Sequence, residues 1–173
     1  MSRTTHTRFI VTGALIAAAY AGLTYLSNIF GLAYGPIQLR LSEVLTILPV
    51  FTPAAIPGLT IGCFIANIGS FNAADLIFGT FATLIAAILT YFLRDIKIKE
   101  VPFLAFLPPV VVNAVIIGLE IACFYLDGYT LWGFVISALE VGLGQLIVCY
   151  VLGTFFYLAV KKYRIFEREY FKR

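Results

Sequence analysis

The chain has 173 residues, 61% of them apolar and only 12% charged, with a formal net charge of +3 and a mean hydropathy of +0.98. An average soluble domain is about 25% charged, so 12 basic and 9 acidic residues are too few to cover a soluble surface. Disorder and nucleic-acid binding are excluded with it, and an all-α integral membrane protein is expected.

A helix needs about 20 residues to cross a hydrocarbon core of roughly 30 Å, so the length allows about six short-looped spans in a single transmembrane domain, 1–173. In chain order the apolar runs predict spans at about 9–30, 39–51, 54–70, 75–93, 101–126 and 131–160. The segment 31–40, with two glycines, a proline and an arginine, reads as a loop. The run 41–70 is punctuated by Pro49, Pro53 and Pro57 and reads either as one kinked span or as two spans with a turn near Thr52-Pro53. Charge decides for two. With the N-terminus inside, Arg3, Arg8, the 94–100 loop and the six-cation tail all lie in the cytoplasm, 11 of the 12 cations, and only Arg40 lies outside. Both termini are then cytoplasmic. A cleaved signal peptide fits poorly, because the first run is longer than the usual apolar segment of one. The three cysteines lie in apolar runs without metal-ligand spacing and read as buried small hydrophobes.

Ionisable groups inside spans are costly and mark pathways or pockets. This topology places Glu43, Asp75, Glu120 and Glu140 all in the outer half, joined by the amides Gln38, Asn67 and Asn113. Asn113 and Glu120, seven residues apart, share one helix face. An outward-facing polar pocket closed below by apolar packing is expected, with Arg40 covering it from the first loop. The bland alternatives are specific. Asp75 reads equally well as a first-turn acid at a helix start, and Glu43 as a surface partner of Arg40. Tyr129 and Trp132 fit an interfacial aromatic belt.

No lysine follows a glycine, so there is no nucleotide-binding P-loop. Neither a zinc-protease nor a serine-hydrolase motif occurs, and no enzyme activity is expected. The chain itself is expected to need no cofactor. The first span carries overlapping small pairs four residues apart, Ala14 with Ala18 and Ala17 with Ala21, which allow another helix to approach closely.

The block Tyr34-Gly35-Pro36-Ile37-Gln38-Leu39-Arg40-Leu41-Ser42-Glu43, continuing through Phe51-Thr52-Pro53-Ala54-Ala55-Ile56-Pro57-Gly58 to Gly62-Cys63-Phe64-Ile65-Ala66-Asn67, resembles the QueT family. Members are the substrate-binding (S) components of energy-coupling factor (ECF) importers for queuosine precursors. The resemblance implies a six-helix S-component bundle in a bacterial cytoplasmic membrane. It implies an outward pocket covered by the loop after span one. It also implies docking, through an AxxxA surface on span one, to a transmembrane coupling protein carrying two cytoplasmic ATPases, which use the ATP. Ala14 and Ala18 are the implied docking positions, with the Ala17 and Ala21 register fitting equally well. A 7-deazaguanine presents N–H donors that a carboxylate accepts, as Glu and Asp accept from base edges. Glu140 or Glu120 is expected at that edge, Asn67 and Asn113 at the carbonyl and ring nitrogens, and Arg40 with Glu43 at the loop gate. The competing reading is a stand-alone facilitator or proton-coupled carrier for a small nucleobase-like or vitamin solute.

Overall fold

A computed structural model describes residues 3–31, 33, 39–70, 72–98, 100–126 and 128–166. Among these there are six α-helices: α1 (Arg3–Ile29), α2 (Ala55–Ile68), α3 (Ala73–Leu93), α4 (Leu107–Phe124), α5 (Leu131–Leu146) and α6 (Gly153–Tyr163). Two 3-10 helices, Leu41–Val50 and Phe103–Phe106, and a π segment, Ile147–Leu152, complete the helical structure. The π segment joins α5 to α6 in one apolar run, Leu131–Tyr163. Four helical stretches are long and apolar enough to cross a membrane: Thr5–Ile29, Ala73–Leu93, Phe103–Phe124 and Leu131–Tyr163. The helices Leu41–Val50 and Ala55–Ile68 are shorter. At about 2.0 Å rise per residue in a 3-10 helix, the ten residues of Leu41–Val50 span about 20 Å, less than a bilayer core.

Interhelical contacts give the direction of each pass. A Cβ on Gly58 would lie 2.7 Å from the Gly13 carbonyl oxygen, and one on Gly62 would lie 2.8 Å from that of Ala17. Both numbers rise together, so α1 and α2 run parallel with their backbones almost touching. The Cys63 thiol sits 3.5 Å from the Gly79 carbonyl, and Asn67 reaches back to Asp75, so α3 returns antiparallel. Likewise α5 runs antiparallel to α4, where a Cβ on Gly118 would meet the Ala138 Cα at 2.7 Å. The helix Leu41–Val50 runs down beside α1 in the opposite direction. Three contacts close that seam: Ser27 Oγ accepts from the Leu41 amide, Thr24 donates to Ser42, and Tyr20 donates to Glu43. Among the described residues the helical segments thus alternate in direction along the chain. The end where α1, α2 and α4 finish and α3 and α5 begin is the upper end.

The second pass is not a conventional span. Eight of its ten residues are buried, including Ser42, Glu43 and Thr46. It carries Pro49, whose missing N–H and ring clash disfavour an α-helical ladder, and it is walled by α1, α3 and the C-terminal helix. It acts as an inner wall of the bundle rather than a lipid-facing helix. Two cysteines, Cys63 and Cys149, are buried as expected, whereas Cys123 is exposed on the outside of α4. The described cations other than Arg40 gather at the lower end. There the Lys161 ammonium donates to Glu100 Oε2 at 2.6 Å, and that hydrogen bond and charge hold the Glu100 carboxyl below its usual range.

Candidate functional site

The upper half of the bundle holds a connected group of polar side chains. Arg40 precedes the first 3-10 helix with extended backbone (φ −76°, ψ 115°), which turns its side chain toward the last turn of α2. Its Nε donates to the Ala33 carbonyl at 2.9 Å and its Nη1 to Asn67 Oδ1 at 3.1 Å. The Asn67 amide nitrogen donates in turn to the Asp75 carbonyl at 2.9 Å. Asn72 caps α3, its Oδ1 accepting from the Ala74 amide at 2.9 Å, and its Nδ2 donates to the Tyr125 hydroxyl at 2.7 Å. Tyr125 then donates to Asp75 Oδ1 at 2.6 Å. Glu120 lies one turn further down α4, facing Asp75 with Arg40 within electrostatic reach.

One 3-10 turn below Arg40 sits Glu43. Tyr20, fully buried, donates to its Oε1 at 2.5 Å. Cys149, in the π segment, contacts the Glu43 carbonyl at 3.8 Å, Thr46 at 3.7 Å and Gln145 Oε1 at 3.4 Å. The extra residue of a π turn re-aims side chains within a helix, and here it brings Cys149 against the second pass. Three carboxyl oxygens in this region are buried without a hydrogen-bond partner among the described residues: Oε2 of Glu43 and both oxygens of Glu120.

Of the residues expected from sequence, Arg40, Glu43, Asn67 and Glu120 come together. Asn113 is buried but spends its amide on the Pro109 carbonyl one turn back, at 2.9 Å. Glu140 is half-buried on α5 and makes no hydrogen bond or ion pair to a described residue. Gln38 lies outside the described residues. Tyr20, Tyr125 and Gln145 carry no sequence signal of their own, and the sequence reads Asp75 equally well as a helix-start acid and as a site residue. Asn72 takes the cap role, which frees the Asp75 carboxylate for Tyr125. On α1 the two small-residue registers separate. Ala17 and Ala21 are buried at 6% and 7% exposure against α2, while Ala14, Ala18 and Gly22 are exposed, with nothing within 4 Å of a Cβ built on Gly22.

A second opening lies at the lower end. It is a cavity of about 280 Å³ whose lining includes Val50, Phe51, Tyr157, Arg94, Lys97 and Lys161. Its cations sit at the C-terminal ends of α3 and α6, where they complement the helix dipoles. Buried apolar side chains, among them Leu48, Ile47, Val50 and Phe106, lie between this cavity and the polar region.

A family model described as "QueT transporter" matches residues 10–162. The chain belongs to the QueT transporter family. This family is one of transporters, not of enzymes, and with four helices apolar enough to span a bilayer this QueT-family chain is a membrane protein. It is 42% identical over 91 residues to the queuosine precursor transporter QueT of Lactococcus lactis subsp. cremoris (strain MG1363). That alignment covers 53% of this chain and 53% of the relative, so the match spans about half the relative's length. No solved structure matches the chain.

Proposed function

We propose that this QueT-family chain is the substrate-binding subunit of an ATP-dependent ECF-type importer in a bacterial cytoplasmic membrane, taking a queuosine precursor of the 7-deazaguanine class from the upper, outward-facing end. The observation that carries this reading is the set of buried, unpartnered carboxyl oxygens on Glu43 and Glu120, beside Arg40 and Asn67. A buried acceptor without a donor costs about 1–3 kcal/mol, and a nucleobase edge supplies adjacent N–H donors of the type that Glu and Asp accept. The name of the Lactococcus relative supports the substrate class. Six passes with cytoplasmic termini are supported by the alternating helix directions and by the gathering of cations at the lower end. The exposed Ala14 and Ala18 face of α1 supports docking to a transmembrane coupling protein with two ATPases.

The test is a titration of the detergent-solubilised protein with 7-deazaguanine bases. Glu43→Ala and Glu120→Ala are each expected to weaken the tightest-binding base by about tenfold or more, about 1.4 kcal/mol, and Glu140→Ala by less. If both variants bind as the parent does, the pocket lies elsewhere.

A further inference from the structure

The cavity at the lower end is built from two unlike halves. One is cationic: Arg94, Lys97 and Lys161 line it against a single lining acid, Asp95, among the described residues. The other is aromatic. The Phe51 ring lies 5.1 Å from that of Tyr157, centroid to centroid, and stacks on Phe166 at 6.1 Å. All three rings line the cavity. Ile47 and Leu48, 2% and 3% exposed, shut it off from the polar region above.

The helices that carry the cations set its depth. Arg94 follows directly on the apolar stretch Ala73–Leu93, and Lys161 lies in the last turn of the stretch Leu131–Tyr163. Both charges therefore stand where hydrocarbon gives way to headgroups. Tyr157 lies one turn back toward the hydrocarbon. Lys97 is exposed and lies past the end of α3, so its charge is not spent on the helix dipole, which fades beyond the last turn.

Two of the cations hold exposed partners. The Arg94 Nε stands 3.6 Å from Asp95, whose side chain is 79% exposed, and Lys161 pairs with Glu100, whose side chain is 82% exposed. Exposed ion pairs contribute little, so both cations can turn to a stronger acceptor. A phosphate accepts from a guanidinium through two oxygens and from an ammonium as a point charge. Volume and wall then argue for a lipid. A cavity of about 280 Å³ has room for about nine waters at about 30 Å³ each, more than inorganic phosphate fills, and a free anion gains nothing from three aromatic rings. A glycerophosphate headgroup with acyl chains uses both halves, as anionic headgroups do in basic pockets between membrane helices.

We propose that this cavity binds an anionic phospholipid from the leaflet at the lower end. Its phosphate sits among Arg94, Lys97 and Lys161, and its glycerol and first acyl carbons lie on the wall of Phe51, Tyr157 and Phe166. The site stands apart from the polar cluster and does not depend on which solute the chain carries.

The experiment uses the full chain, stripped of lipid in a mild detergent, with bound lipid counted by native mass spectrometry. The probes are phosphatidylglycerol, phosphatidylcholine with the same acyl chains, and inorganic phosphate as a competitor. The parent is expected to bind phosphatidylglycerol about tenfold or more tighter than phosphatidylcholine. Arg94→Gln with Lys97→Gln is expected to cut that preference to below about threefold. Arg8→Gln with Lys162→Gln removes as many charges from the same end but outside the cavity lining, and is expected to keep the preference within about twofold of the parent. A thermal melt shows that each variant is folded. If the first double variant is not, Lys97→Gln alone decides, with an expected loss of about threefold in the preference. Equal binding of the two lipids by the parent overturns the proposal. So does an equal loss in the two double variants, which marks a diffuse attraction rather than a site. Displacement of phosphatidylglycerol by millimolar phosphate overturns the lipid in favour of a free anion.

Discussion

Tryptophan at Ala14 and Ala18 is expected to abolish uptake while leaving ligand affinity within about twofold of the parent. The reason lies in how α1 divides its small residues. Ala17 and Ala21 are buried at 6% and 7% exposure, and the Ala17 backbone is close enough to α2 that a Cβ on Gly62 would approach its carbonyl oxygen to 2.8 Å. Ala14 and Ala18, one position further round the helix, are exposed. Small residues four apart let a second helix come close, and an indole on that face holds it away. The polar seam of α1, formed by Tyr20, Thr24 and Ser27, lies on the buried side and is untouched by the change. Ala17→Trp is the contrast. It drives a ring into α2 and is expected to lose folding and binding together. Uptake by cells carrying each variant, with ligand titration of the purified proteins, checks both halves. Undiminished uptake by the Ala14→Trp, Ala18→Trp double variant would show that the partner docks elsewhere.

Gly62→Leu is expected to destabilise the bundle by about 3 kcal/mol or more, because the space a side chain needs is filled by backbone. Its Cβ would lie 2.8 Å from the Ala17 carbonyl oxygen, 2.8 Å from the Tyr20 Cβ and 3.0 Å from the Ala17 Cα. None of these atoms is the movable end of a side chain, so relief requires α1 and α2 to separate. Separation carries Tyr20 away from Glu43 and opens the polar seam, so ligand binding falls with stability. The control is Gly22→Leu on the same pair of helices. With open space around its Cβ and a better helix former in place of glycine, it is expected to melt at or above the parent temperature. Thermal unfolding in detergent reads both, and equal melting temperatures for the two variants would contradict the close packing.

The long helices were legible because length and hydropathy alone mark them, and the grouping of Arg40, Glu43, Asn67 and Glu120 was legible in part because charges in apolar runs are scarce enough to count. What stayed hidden has physical causes. In a membrane the lipid-facing and core-facing sides of a helix are both apolar, so periodicity does not separate them. Nothing in the sequence told the exposed Ala14 and Ala18 from the buried Ala17 and Ala21. The same blindness hid Tyr20, which looks like one more aromatic in an apolar run yet is fully buried on Glu43. The second pass was readable as a pass but not as a buried 3-10 helix, since its conformation follows from walls supplied by α1, α3 and the C-terminal helix. Asp75 sat three residues after an equally good cap, Asn72, and only the placement of Tyr125 fifty residues later assigns the two their different partners.

The chain is expected to bind its ligand alone but to move it only with an energised partner. Uptake of radiolabelled 7-deazaguanine base into proteoliposomes tests this most directly, comparing the chain alone with the chain joined to an ECF coupling protein and its two ATPases, with ATP supplied at the cytoplasmic face. Accumulation is expected only with the module and ATP, and binding without accumulation when the chain is alone. Accumulation by the chain alone would contradict it and establish a self-sufficient carrier.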